Sequence, residues 1–233
     1  MRALVAALAL LITPAVLAQN ALRDAASRDG AIAWKIATEG VQICCCDGGS
    51  TWNSRKNYVE YGEIYLVATM EKGRIDHLRM LEPTCPITAR QIENVTADAS
   101  LDFLRAHVTD DKRVVTAISM HQHPRVVDEL IALARRHEST SVRREAIFWL
   151  GQKAGEKAAA ELRAAVDDDP EDEVRERAVF AISQLPRERA VPLLVDLVKT
   201  HKRPVVRERA MFWLAQTGDE RALTLIEEIL GVK

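Results

Sequence analysis

The chain has 233 residues with 34 acidic against 32 basic side chains, a net charge of −2. That balance excludes the basic face a nucleic-acid partner would need, and the length fits one or two domains. Hydrophobic residues make up 48% but aromatics only 5%, a mixture suited to close helix packing rather than to a large aromatic-lined pocket.

The first 18 residues read as a cleavable signal peptide. Arg2 gives a short positive start, Val5 to Leu11 is an apolar run, Pro14 breaks it, and Val16-Leu17-Ala18 supplies the small-residue pattern ahead of Gln19. The run from Ala3 to Ala18 is shorter than the roughly 20 apolar residues a bilayer requires. The residue after the expected cut is Gln19, so no cysteine stands there to carry a lipid. The expectation is an exported, periplasmic or secreted bacterial protein without an integral membrane segment. Losing Arg2 with the leader leaves 31 basic residues against 34 acidic ones, a net charge of −3.

Residues 19–30 are polar and could form a short helix ended by Gly30. From there the pattern turns to short β-like runs, defining a small β-rich domain over 31–95. Ala31 to Ile36 and Val41 to Cys46 read as two strands separated by a turn at Glu39-Gly40. Asp47-Gly48-Gly49-Ser50 opens a loop that extends to Asn57. Glu63 to Glu71 and Arg74 to Leu81 flank Lys72-Gly73, a strong hairpin pattern. Alternation in the second arm sets Ile75, His77 and Arg79 on one face and Asp76, Leu78 and Met80 on the other. Gln91 to Val95 could add one more strand.

The four cysteines, Cys44, Cys45, Cys46 and Cys85, all fall in this region. In an exported chain they are disulfide candidates first. A single bridge from Cys85 to one of the triplet is the least strained arrangement; Cys45 and Cys46 are favoured, and spacing does not choose between them. A three-cysteine metal site lacks the usual C-x₂-C spacing, and so does thioredoxin-like catalysis, which wants C-x-x-C.

From 96 onward the period becomes helical. Val142-Arg143-Arg144-Glu145-Ala146-Ile147-Phe148-Trp149-Leu150 returns 32 residues later at Val174 to Ile182, and again 32 later at Val206 to Leu214. A period of this length marks a two-helix unit stacked on copies of itself, an α-solenoid. Second helices follow the same spacing, with Leu130, Leu162, Leu194 and Ile226 in register. Ala117 precedes Ala146 by only 29 residues, so the first of four pairs is shifted. The fold expected is mainly α: a solenoid of about four helix pairs over 96–233, preceded by the β-rich domain.

The block V-R-x-x-A-x-x-x-L, followed by A-x-P-x-L at Ala190 to Leu194, resembles HEAT repeats of the phycobilin-lyase HEAT-like type. That resemblance implies a right-handed array of antiparallel helix pairs whose concave face usually holds a protein. The whole chain also resembles exported bacterial HEAT-repeat proteins, a likeness that carries no mechanism. HEAT-like repeats often place Asp three positions before the Val to pair with a neighbour's Arg. Here Ser139, Glu171 and Arg203 hold those places, so Arg143, Arg175 and Arg207 are candidate interaction residues without a regular Arg–Asp ladder.

HEAT-repeat di-iron enzymes carry several His-Glu pairs on first helices, where this chain has Arg144-Glu145, Glu176-Arg177 and Glu208-Arg209. Its one pair, His137-Glu138, ends a second helix. His121 and His123 read as exposed turn histidines, and Trp149 and Trp213 as core. Trp52, after a Gly-Gly-Ser loop, is a candidate binding aromatic. With no catalytic set, metal site or cofactor motif, the function expected is a non-enzymatic protein-interaction scaffold. The alternative is a cofactor-handling or redox- or metal-linked role for Cys44 to Cys46 and Cys85.

Overall fold

The computed structural model describes residues 14–43, 46, 60–153 and 155–230. They form two compact units, the first ending at His107 and the second starting at Val108. Cys44, Cys45, Trp52 and the loop expected from Asp47 lie outside the described residues.

The first unit runs α1 (Pro14–Ala26), β1 (Gly30–Gln42), β2 (Glu60–Glu71), β3 (Arg74–Leu81), β4 (Arg90–Gln91) and α2 (Ala97–Ala106). The strands make one sheet in the order β3-β2-β1-β4, antiparallel except where β4 pairs in parallel with β1. On one face Ile32, Trp34 and Ile36 oppose Ala68, Leu66 and Ile64, all buried. Helix α2 lies against β1, and α1 against α2. Trp34 decides this arrangement. Burying an indole requires a partner for its N–H, and Nε1 donates to the Ser100 hydroxyl of α2 at 2.8 Å. The ring also meets Phe103 edge to face, centroids 5.4 Å apart. Helix α2 therefore belongs with the sheet, and the boundary expected at 95/96 falls after His107 instead.

The opposite face carries a smaller core of Ala33, Val67, Leu81 and Cys85, flanked by Tyr65, Ile87 and Ala89. Here Cys46 and Cys85 form a disulfide, with Cα atoms 5.3 Å apart.

Three local expectations need correction. The two strands expected at 31–36 and 41–46 are one strand, β1. Gly40, at φ 71°, sits in a register shift between Ala37 and Val41, a bulge that bends the strand without ending it. Alternation in β3 also fails. His77 pairs with Thr69 but Ile75 pairs with Met70, so Asp76 is an extra residue and Ile75 joins Leu78 among the buried side chains. Lastly, helix α1 begins at Pro14, ahead of the expected polar segment, and its buried residues include Leu22, Ala25 and Ala26. The Lys72-Gly73 hairpin forms as expected, both residues at positive φ (52° and 73°), as a two-residue primed turn requires.

The second unit contains four helix pairs among the described residues: α3 (Lys112–Met120) with α4 (Arg125–Arg136), α5 (Thr140–Lys153) with α6 (Glu156–Asp168), α7 (Asp172–Ser183) with α8 (Arg187–Thr200), and α9 (Pro204–Gln216) with α10 (Glu220–Leu230). First helices stack on one another, α3 on α5, α5 on α7 and α7 on α9, while α4 lies on α6 and α8 on α10. Close approach in the first-helix layer rests on small residues. Ala146, Ala178 and Ala210 are fully buried. A Cβ added at Gly151 would stand 2.9 Å from the Ala181 Cβ and 3.1 Å from its Cα and carbonyl oxygen.

Two outcomes are expected. Gly151→Ala forces α5 away from the α7 backbone and destabilises the second unit by about 1–3 kcal/mol, read from chemical denaturation. Peptide mapping without reductant links Cys46 to Cys85, and Cys85→Ala lowers stability by about 4 kcal/mol, the chain-entropy value for closing a loop of this separation.

Candidate functional site

The repeated arginines serve the connections between repeats. In each connection one side chain accepts the backbone N–H two residues on: His137 Nδ1 from Ser139 (3.1 Å), Asp169 Oδ1 from Glu171 (3.0 Å) and His201 Nδ1 from Arg203 (3.2 Å). These three acceptors are themselves 32 residues apart. The position asks for a lone pair rather than a charge, so His and Asp interchange. His137 is thereby engaged in the turn, and its pairing with Glu138 for a metal is not what the fold uses.

Arg143 reaches the same connections. Its Nη1 donates to the His137 and Glu138 carbonyls, both at 3.0 Å. Nε and Nη2 grip Asp169 at 3.0 and 3.3 Å. Arg207 repeats the first half of this pattern, with Nη1 donating to the His201 and Lys202 carbonyls at 2.8 and 3.1 Å. Arg175 cannot repeat the second half, because the position equivalent to Asp169 is His201. It turns instead to Asp172 and the Pro170 carbonyl, leaving Nε without a partner among the described residues. Arg143 and Arg175 are only 8% and 4% exposed. The structure thus gives these candidate residues internal work.

Neighbouring repeats are tied by other pairs. Arg144 binds Glu173 at 3.0 Å and Arg209 binds Glu176 at 2.9 Å across the first helices. Arg135 to Glu161, Arg163 to Asp196 and Lys157 to Asp128 tie the second helices. This ladder comes from residues outside the repeated V-R-x-x-A block's Arg position, so reading that position alone could not find it.

Between the ion pairs runs a line of aromatic rings. Trp149 packs against Phe148 (centroids 5.1 Å), and the Arg177 guanidinium lies 4.6 Å from the Phe148 centroid and 5.2 Å from that of Phe180. Phe180 meets Trp213 at 4.9 Å, and Trp213 meets Phe212 at 5.0 Å. The line crosses α5, α7 and α9. Phe212 is 51% exposed, and the others are half-buried. Trp149 and Trp213, expected in the core, therefore sit at its edge. The Trp149 N–H is held by Glu145 Oε1 at 2.9 Å and Thr116 Oγ1 at 3.3 Å. Beside Phe212 opens a shallow groove of about 460 Å³, lined by Val198, Arg207, Glu208, Met211 and Phe212. Exposed or half-buried aromatics with an arginine among them have the composition of an interface centre.

The remaining candidates carry no comparable arrangement. Cys46 and Cys85 stand beside Glu82 with ligand-type atoms within 4.8 Å, but their sulfurs are joined to each other and offer no thiolate. His121, expected to be exposed, is 1% exposed. Its Nδ1–H donates to the Ala117 carbonyl at 2.8 Å, and burial, reinforced by His123 and Lys153, pulls its pKa from 6.5 to about 4. His123 is half-buried and accepts the Arg125 N–H at 3.3 Å.

Helix pairs stacked first on first define an α-solenoid scaffold. Residues 110–183, 127–210 and 162–233 each match HEAT repeats, together more than half of the chain. The chain belongs to the HEAT-repeat family. No curated protein matches it. Among the described residues no helix is long and apolar enough to cross a membrane.

The buried His121 sets a pH response. Below pH 6.5 the unfolded chain takes up a proton that the folded imidazole refuses until about pH 4. Stability contributed by neutral His121 is thus complete above that window and falls as pH drops through it, by about 3 kcal/mol in all. Denaturation of the wild type at pH 7 and pH 4.5 should show most of that loss, and His121→Gln should lack it.

Proposed function

We propose that this protein is a non-enzymatic interaction scaffold, exported from a bacterial cell, that holds a protein partner along the aromatic line from Trp149 to Phe212. The observation that carries the reading is the continuity of that line across three stacked helices, with Phe212 and its groove open at one end. Membership of the HEAT-repeat family supports a scaffold, since HEAT repeats commonly serve that role. The phycobilin-lyase HEAT-like resemblance adds no ligand to it.

Export is supported by the positive start and apolar run ahead of Gln19. The Cys46–Cys85 bridge supports it as well, since such bonds persist in oxidising compartments. A chain of net negative charge and a line of aromatic rings fit a protein surface better than a nucleic acid.

The reading is tested by cross-linking the tagged full-length chain in the exporting cell and comparing wild type with the Phe180→Ala/Phe212→Ala pair. The double variant is expected to keep its fold and to lose the cross-linked partner, since central aromatics at interfaces cost about 2 kcal/mol or more each on truncation. A partner retained equally by both proteins overturns the site. Mass analysis of the exported protein is expected to find its first residue at Gln19; an intact leader overturns the export reading.

A further inference from the structure

The chemistry at the middle of the aromatic line is narrower than a general sticky patch. Three arginines stand on the exposed side of the first helices there: Arg144, Arg177 and Arg209. Arg144 is bound to Glu173 and Arg209 to Glu176. Arg177 differs. Its guanidinium lies over the rings of Phe148 and Phe180, and among the described residues no carboxylate or carbonyl accepts a hydrogen bond from it. Glu145 attracts it through space, but the Glu145 Oε1 atom is occupied by Trp149 Nε1 and Thr116 Oγ1.

A guanidinium over aromatic faces is held there by cation–π attraction, which leaves its N–H groups able to donate in their own plane. The half-buried side chain also has part of its surface taken out of water beside these rings. A desolvated cation with unused donors gains more from a matching carboxylate than a solvated surface lysine does. Arg177 is thus arranged to be completed by an acceptor from outside the chain. Apolar surface continues from it through Phe180 and Trp213 to Phe212 and its groove.

Resting on the scaffold reading above, we propose that the occupant of this surface is an extended protein segment. It sets an Asp or Glu side chain on Arg177 in a two-pronged bond and places an apolar side chain in the groove beside Phe212. Arg177 is the specificity residue and the rings supply the contact area. A matching segment therefore needs an acidic residue and, further along, an aromatic or aliphatic one.

The test is selection of a displayed library of random short peptides on the full-length chain. Enriched sequences are then synthesised with amidated C-termini, each with its acidic residue intact or changed to the corresponding amide. Expected are sequences pairing an acidic residue with an apolar one. The change to amide should weaken binding to the wild type by about ten-fold or more. Arg177→Gln should weaken the acidic peptide equally and leave the amide peptide unaffected, so that the two changes are not additive. Arg177→Lys keeps the charge but loses the planar fork and should recover only part of the affinity. It also provides the measurement if the Gln variant does not fold.

Amide and acidic peptides binding equally well, or binding that requires a free C-terminal carboxylate, overturns the proposal and leaves the scaffold reading standing. Peptides that bind the Phe180→Ala/Phe212→Ala protein as tightly as the wild type, or no enrichment on the wild type at all, overturn the scaffold site together with it.

Discussion

The second unit depends on how closely its first helices approach one another. Fully buried Ala146, Ala178 and Ala210 recur at that interface, and Gly151 lies so near Ala181 that an added Cβ would collide with the Ala181 Cβ and press on its backbone. The aromatic line follows from the same approach. Rings on successive helices can meet at about 5 Å only if the helices that carry them pack at short distance. Ala181 makes the dependence concrete, because it occupies the repeat position that is Trp149 before it and Trp213 after it. An indole there would have no room against α5. The middle repeat keeps Phe180 and places Arg177 in the line, within 4.6 and 5.2 Å of the Phe148 and Phe180 ring centroids.

Charge is divided between inner and outer tasks. The arginine of each V-R block donates to the carbonyls left open where a second helix ends and the next first helix begins. Such carbonyls need donors, and an arginine can supply several from one side chain. The outward arginines tie repeat to repeat in exposed pairs that are individually weak. Their value lies in neutralising the surface between rings. With Arg144 and Arg209 so occupied, Arg177 is the arginine beside the rings that keeps its hydrogen-bonding capacity among the described residues.

The solenoid was legible because its information is local and repeated. Identities at a 32-residue spacing give helix count, pairing and register without any knowledge of distant contacts. The line of rings was less legible for the same reason. Its members do not occupy one repeat position: Phe148, Phe180 and Phe212 do, but Trp149 has no aromatic counterpart in α7, and Arg177 matches Glu145 on one side and Arg209 on the other. Turn acceptors His137, Asp169 and His201 could have been found, since they too are 32 residues apart. Their different chemical types hide the shared task. In the first unit the contacts are long-range. Trp34 finds its hydrogen-bond partner 66 residues away in Ser100, and Cys85 is joined to one of three adjacent cysteines that spacing could not separate. A bulge at Gly40 stands where a strand-ending turn was expected, and one at Asp76 breaks the alternation expected along β3.

The two units also differ in how their stability is obtained, and that difference bears on function. A small sheet with helices on one face leaves its other face with few side chains to bury, here Ala33, Val67, Leu81 and Cys85. A covalent bridge across that face offsets the lack of core, as is common in domains of this size. The solenoid has no such need. Each repeat buries its neighbour, and its described residues are held by packing, helix-end capping and ion pairs. Ring atoms left partly uncovered on such an array are not required by its own core, since Leu150, Ile182 and Leu214 already fill the interior beside them. Rings and a guanidinium retained at the edge of a self-sufficient core are free to contribute their binding energy to another molecule.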